Sequence, residues 1–367
     1  MTSLTADDGR WLDAAARYAA PFAGTTADNP AVGALLVDPR SLTLVARAVT
    51  ARGGRPHAEA EVIARAGFEA AGCTLYVTLE PCHHWGRSPP CVDAIIRAGI
   101  MRVVIGAADP DPRAAGRSVA SLESAGVETV LAHRPSSLAL NAGHQLRRTR
   151  GRPFVTAVMA VSADGMIGRR DQPRTPLGSE SGVWLDVLRS RSDATLIGGA
   201  TALCDDPDLT ITLPGLDTRT PLRVVLAGHS GIDRHVNLIG GFSGYRTAVI
   251  AENDVPVDAP VSVEVIRLPG QGGRPDLAYA LKSLAERSVQ NLLVQPGQRL
   301  AAALLEADLV DRFAIITRQE PLGPDGVPAS ADGPIAELLD AAGLVEVENQ
   351  ALGEDRLTLF ERLHPAV

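Results

Sequence analysis

The chain has 367 residues, 45% hydrophobic and 21% charged, with a formal net charge of −8. That length suits about two ordinary domains, and the acidic balance argues against a broad nucleic-acid-binding face, which needs a basic excess. No apolar run approaches the ~18 residues of a membrane span, and "MTSLTADDGRWLDAAARYAA" lacks the charged-then-apolar pattern of a secretory signal. The expectation is therefore a cytoplasmic protein, with no nucleic-acid or membrane partner. Cysteines stay reduced there, so closely spaced Cys and His point to metal or catalysis before disulfides.

In chain order, "GRWLDAAARYAAPFAG" reads as an amphipathic helix, and "AVGALLVD" and "LTLVARAV" as a strand pair joined by the turn "DPRS". His57 to Ala66 reads as a helix stopped by Gly67, and "CTLYVTL" as a strand. Pro89-Pro90-Cys91 opens the helix "CVDAIIRA", which ends at Gly99. "MRVVIGA" and "VETVLA" are strands, and Gly116–Ala125 and Ser136–Arg148 helices. This repeated strand–helix order predicts a three-layer α/β/α sandwich. The basic segment "RRTRGRPF" reads as a linker, which places domains at 1–150 and 151–367.

The second half starts with the apolar strand "FVTAVMAVS". "GVWLDVLRSRS" is a helix, and "ATLIGGA" a strand ending in a glycine turn. "LRVVLAG", "TAVIAE", "VEVIRL" and "NLLVQ" are strands, while "DLAYALKSLAER" and "LAAALLEA" are helices. "AENDVPVDAP" and "LPGQGGRPD" read as surface loops.

The chemistry concentrates in "PHAEAEV" and "TLEPCHHWGRSPPC". His57, Cys82 and Cys91 supply three zinc ligands, the number a catalytic zinc takes when it keeps one position for water. Each lies at or near a helix start, where the helix dipole favours a thiolate. Glu59, two residues past His57, is too close for a comfortable fourth ligand but suits a proton shuttle beside the bound water. H-x-E followed by P-C and a second Cys is the pattern of zinc-dependent nucleobase deaminases, although here eight residues separate the cysteines instead of two. A structural zinc is the competing reading of the same ligands. Cys73 and Cys204 stand outside the motif and read as core residues.

"NPAVGALLV", "HAE", "TLEPCHHWGRSPPC" and "DPDPRAAGR", in this order, resemble the bifunctional deaminase/reductases of riboflavin biosynthesis, the RibD type. The resemblance continues through "RPFVTAVMAVSADGMIGR", "LRSRSDATLIGGATALCDDPDLT" and "LLEADLVDRFAII". It implies a cytidine-deaminase-like domain followed by a dihydrofolate-reductase-like domain. It also implies deamination of 2,5-diamino-6-ribosylamino-4(3H)-pyrimidinone 5′-phosphate, followed by NADPH-dependent reduction of its ribosyl chain. The implied cofactors are one Zn²⁺ per chain and NADPH, and the implied partner is a phosphorylated pyrimidine, with homo-oligomerisation left open. By the same resemblance Asn29, His84, Arg87, Arg189 and Leu209 contact substrate. Ala160, Thr201, Asp205 and Gly297 contact the cofactor, and Asp206 falls in the same stretch.

Several residues depart from the family pattern. Val158 stands where a lysine is expected. Thr175, Pro176 and Leu177 stand for a W-I-T segment, and Thr212 for an arginine. Gln295, Pro296 and Gly297 stand for E-G-G. Proline removes a donor N–H, and glutamine is a weaker acceptor than glutamate. These changes predict weakened NADPH use. The remaining readings are a related deaminase with a degenerate reductase domain, and a zinc-stabilised scaffold without activity, for which Glu59 would have no purpose.

Overall fold

The computed structural model describes residues 4–86, 88–111, 115–170, 172–174, 177–241 and 244–362. The chain divides into two compact units, Met1–Gly151 and Arg152–Val367.

The first unit comprises α1 (Ala6–Ala19), β1 (Gly33–Asp38), β2 (Thr43–Val49), α2 (Ala58–Ala66), β3 (Thr74–Val77), α3 (Cys91–Arg97), β4 (Arg102–Ile105), α4 (Arg117–Ser124), β5 (Glu128–Leu131), α5 (Pro135–Leu140) and α6 (Ala142–Arg150). Its sheet runs β2-β1-β3-β4-β5, with β1 antiparallel to β2 and β3 and the other pairs parallel. The period of two along each strand builds the layers. Leu35, Val37, Tyr76 and Val104 pack with Leu12 and Ala15 of α1. Leu36, Leu75, Val77 and Ile105 form the opposite core with Val62 of α2 and Ile95 of α3. A capping box between Thr5 and Asp8 starts α1. Asp8 also accepts from Arg102 Nη1 at 2.7 Å and from the Tyr76 hydroxyl at 3.0 Å, which ties the helix to β4 and β3.

Two expectations are corrected here. The single helix expected over Ser136–Arg148 breaks at Asn141 into α5 and α6. The Asn141 amide donates to the carbonyls of Thr78 and Ser137, a side-chain bond that competes with helix continuation. The basic run is not a free linker. Arg147, Arg148 and Arg150 form the last turn of α6, where cations suit the helix dipole, and Gly151 caps it at φ 66°. Arg152 is then buried, donating to both carboxylate oxygens of Asp311 at 2.6 and 2.8 Å.

The second unit comprises β6 (Phe154–Val161), β7 (Met166–Arg169), α7 (Ser179–Ser190), β8 (Ala194–Gly198), α8 (Gly199–Asp205), β9 (Leu222–Leu226), α9 (Asn237–Gly240), β10 (Thr247–Glu252), β11 (Val263–Leu268), β12 (Gly270–Gln271), β13 (Arg274–Pro275), α10 (Leu277–Glu286), β14 (Asn291–Gln295), α11 (Gln298–Glu306), β15 (Arg312–Thr317), β16 (Gly326–Pro328), α12 (Ile335–Ala341), β17 (Leu344–Leu352) and β18 (Asp355–Arg362). The main sheet runs β11-β10-β9-β8-β14-β6-β15-β18-β17. It is parallel from β11 to β15, and β18 is antiparallel to both β15 and β17.

Val155, Ala157 and Met159 of β6 pack with Leu281 and Leu284 of α10 and Leu304 of α11. Val158, Leu293, Ala314 and Ile316 face the other way, onto Leu185 of α7. The β17–β18 hairpin has no counterpart in the sequence reading. Most of β17 is exposed, and Glu346, Glu348, Asn349 and Gln350 interrupt its apolar residues, so no apolar run marks it. "LPGQGGRPD", expected as a loop, folds into the β12–β13 ribbon, turned by Gly272 and Gly273 at φ 62° and 75°.

Candidate active sites

In the first unit, α2 and α3 bring the three expected metal ligands together. His57 is the N-cap of α2, Cys91 is the first residue of α3, and Cys82 lies in the segment after β3. Their ligand atoms all lie within 4.8 Å of one another. His57 Nδ1 is 3.7 Å from Cys82 Sγ and 3.5 Å from Cys91 Sγ. A tetrahedral zinc with Zn–S of roughly 2.3 Å and Zn–N of roughly 2.0 Å implies an N–S edge of about 3.5 Å. Both N–S separations therefore match those of a zinc site.

The surroundings suit that charge. A hydrogen bond from Cys91, with further help from His57, pushes the Cys82 thiol down to about 4. The hydrogen bond shared with Cys82, together with burial, pushes the Cys91 thiol up. A bound cation would favour the thiolate form of both cysteines. The Cys91 backbone N–H also donates to Cys82 Sγ at 3.3 Å. The hydrogen bond with Cys82 raises the pKa of His57. Glu59, in the first turn of α2, is buried, and burial pushes its carboxyl pKa up.

Asn29 sits on the far side of His57, with its Oδ1 3.3 Å from Nε2. A metal on Nδ1 leaves the imidazole proton on Nε2, where it donates to this oxygen. Gly54 makes room for the amide: at φ 88°, a Cβ there would lie 2.2 Å from Asn29 Nδ2. His84 Nδ1 is buried with no hydrogen-bond partner among the described residues, and the neighbouring Trp85 is exposed. Arg87 lies outside the described residues.

Sequence reading passed over Glu80, which is buried and accepts from the backbone N–H groups of Asp109 and Gly116 and from the Ser118 hydroxyl. It ties the Cys82 segment to the loop carrying "DPDPRAAGR", of which residues 112–114 lie outside the described set.

The second unit holds a cleft of about 760 Å³, an ordinary small-molecule size. It opens beyond the carboxyl ends of β6, β8, β14 and β15, the usual ligand position on a parallel sheet. Ala160, Thr201, Asp205, Arg189 and Leu209 all line it. Leu209 is held at φ 58°, a strained conformation for leucine. Gly297 stands just outside the lining. A Cβ there would lie 3.4 Å from Arg174 Nη2 and 3.8 Å from Thr201 Oγ1. Arg174 donates to Thr201 Oγ1 at 3.2 Å, and its backbone N–H donates to Asp205 at 3.1 Å. Asp206 is turned away, accepting from the Asn237 backbone at 2.8 Å. Cys204 is half-buried, a correction to its reading as a core residue, whereas Cys73 is buried.

The departures from the family pattern acquire definite places. Val158 is buried against Leu185 and Leu293 and brings no charge to the cleft. Leu177 lines the cleft, while Thr175 and Pro176 lie outside the described residues. Pro296 precedes Gly297, the N-cap of α11, so its missing N–H is not among those of the helix's first turn. Gly297 offers no side-chain cap, which leaves those N–H groups able to meet a cofactor phosphate. Gln295 Oε1 accepts from Arg189 Nη2 at 3.1 Å. Arg189 is buried, not solvated, and burial pulls its pKa down against the opposing effect of Asp186.

Residues 6–107 match the cytidine and deoxycytidylate deaminase zinc-binding region, and residues 153–352 match the RibD C-terminal domain. The riboflavin biosynthesis protein RibD of Escherichia coli strain K12 is 32% identical over 352 residues, 90% of this chain and 93% of that protein. The Aquifex aeolicus protein of the same name is 30% identical, over 97% of this chain and 98% of its own. The Acinetobacter baumannii RibD structure superposes with a TM-score of 0.83 at 26% identity, covering 97% of this chain and 99% of that one. A diaminohydroxyphosphoribosylaminopyrimidine deaminase/5-amino-6-(5-phosphoribosylamino)uracil reductase from Thermotoga maritima gives 0.82 at 25% identity, covering 97% and 98%.

Proposed function

Because this chain belongs to the RibD family of riboflavin-biosynthesis deaminase/reductases, we propose that residues 1–150 deaminate, and residues 151–367 then reduce, one phosphorylated diaminopyrimidinone. The enzyme combines a zinc-binding deaminase domain with a reductase domain. The substrate is 2,5-diamino-6-ribosylamino-4(3H)-pyrimidinone 5′-phosphate, and the setting is the cytoplasm.

The observation that carries the first reaction is His57 Nδ1 at 3.7 and 3.5 Å from two thiols, beside a buried Glu59. His57, Cys82 and Cys91 hold zinc, which when bound supplies a water acidic enough to lose a proton near neutral pH. Glu59 carries a proton to the ring nitrogen and the departing amine. Burial, which favours its neutral form, suits the delivery half of that cycle. Asn29 fixes the His57 ring, and His84 Nδ1 is free to meet the substrate among the described residues.

In the reductase, bound NADPH supplies the hydride. Ala160, Thr201, Asp205 and Gly297 hold it, and Arg189 and Leu209 hold the pyrimidine phosphate. Pro296 lies outside the first turn of α11, and both Gln295 and Thr212 are hydrogen-bonded in place. The case for weak cofactor use then rests on Val158 and on Thr175, Pro176 and Leu177.

The test is incubation of the zinc-loaded protein with the diaminopyrimidinone phosphate, with and without NADPH, and product identification by mass spectrometry. Deaminated product alone is expected without NADPH, and its ribityl derivative with it. Unchanged substrate in both would overturn the assignment.

A further inference from the structure

The buried guanidinium of Arg189 is held by an acid from its own helix. Asp186, one helical turn before it on α7, accepts from Arg189 Nη1 at 2.7 Å through Oδ1. Both residues are buried, at 6% and 7% exposure, so this pair is shielded from solvent and salt. The other Asp186 oxygen accepts from the Thr212 backbone N–H at 2.9 Å, the Thr212 hydroxyl at 3.0 Å and the Leu213 N–H at 3.1 Å. Nη1 of Arg189 donates also to the Thr210 carbonyl at 3.1 Å, and Nη2 to the neutral amide of Gln295 at 3.1 Å. Its Nε is buried with no partner among the described residues, on a side chain that lines the cleft.

We propose that Asp186 is the positioning residue of the reductase cleft: it supplies, from α7, the carboxylate that fixes the Arg189 fork, so that position 295 must stay neutral. This rests on the reading that the cleft takes the phosphorylated pyrimidine. Among the described residues, Asp186 is the one carboxylate hydrogen-bonded to the Arg189 fork. Asp208 acts on Arg189 without a bond to it and is itself paired with Arg223. The Asp186–Arg189 pair is neutral overall and still offers the unpartnered Nε to a phosphate. A second carboxylate on the same fork would give the cluster an excess negative charge and repel that anion. With no acid, the fork loses its charged anchor, and the Thr212–Leu213 segment loses an acceptor for three donors. The two positions therefore form one unit that requires a single carboxylate, contributed by either side.

The test is a reciprocal exchange. Binding of the deaminated ribosylaminouracil 5′-phosphate is measured by calorimetry for the unaltered protein, Asp186→Asn, Gln295→Glu and the double variant, with thermal melts of each. Each single change is expected to weaken binding by roughly 10-fold to 100-fold, the usual loss for a charged hydrogen-bonded contact. The double variant is expected to regain most of it. If Asp186→Asn does not fold, Gln295→Glu still reads the charge rule, because it removes no buried acid. Wild-type affinity in Gln295→Glu, or a double variant no better than the worse single, overturns the proposal, and so does failure of the unaltered protein to bind. The reciprocal pattern without NADPH-dependent turnover upholds the carboxylate rule and removes the reductase reading instead.

Discussion

Asn29→Ala should loosen zinc before it affects anything else. Asn29 reaches the zinc site through Oδ1, 3.3 Å from His57 Nε2. Removing it leaves the imidazole free to rotate and to change tautomer, so Nδ1 is no longer held toward the two thiols. Loss of such a partner to a metal-bound histidine typically weakens metal affinity by ~10–100-fold. A 3.3 Å contact is at the long end for a hydrogen bond, which favours about tenfold, or ~1.4 kcal/mol.

Competition of each variant against a chromophoric chelator reads the zinc affinity, and deaminase KM is measured on zinc-saturated protein. Asn29→Asp keeps the acceptor and strengthens it, so zinc affinity should be retained or improved. Gly54→Ala, whose Cβ would meet the Asn29 amide at 2.2 Å, should mimic the alanine variant. If Asn29→Ala binds zinc as tightly as the unaltered protein while KM rises, then Asn29 touches substrate and does not orient His57.

Two further outcomes follow from the first unit. Glu59→Gln should keep its zinc and melting temperature and lose ~10²–10⁴-fold in deaminase turnover, as removal of a general acid–base group does; near-normal turnover would assign the shuttle elsewhere. For Asp8, burial alone would raise the pKa, but hydrogen bonds from Arg102 and Thr5 outweigh it and hold the carboxyl at about 2. A depressed folded pKa gives stability that is present above the unfolded value near 4 and is lost as pH falls toward 2, about 2 kcal/mol in all; melting curves across that window should show the loss, and Asp8→Asn should flatten it.

The deaminase was legible because its chemistry is local. His57 and Glu59 are two apart, and Cys91 follows a double proline that starts a helix, so ligand identity and approximate placement both lie in short strings. What placed Asn29 behind the imidazole was a tertiary contact across 28 residues, which no spacing reveals. β17 was invisible for a related reason. It is an outer strand whose residues mostly face solvent, and the alternation of Val345 and Val347 with Glu346 and Glu348 stops at Asn349, too short to mark a strand.

The reductase cleft shows the opposite failure, in which single positions were weighed one at a time. Gln295 in place of glutamate and Thr212 in place of arginine each look like a lost contact when compared with a pattern. In the fold they meet at Asp186: Arg189 bridges Gln295 to it, and Thr212 donates to its second oxygen. The signal was present, since an acid and an arginine three apart on a helix share a face, but it is weak on an exposed helix and gains meaning only when both residues are buried. A low-dielectric site constrains the sum of its charges more tightly than the position of each. A carboxylate lost at 295 therefore does not by itself mean lost function where another stands within reach of the same guanidinium.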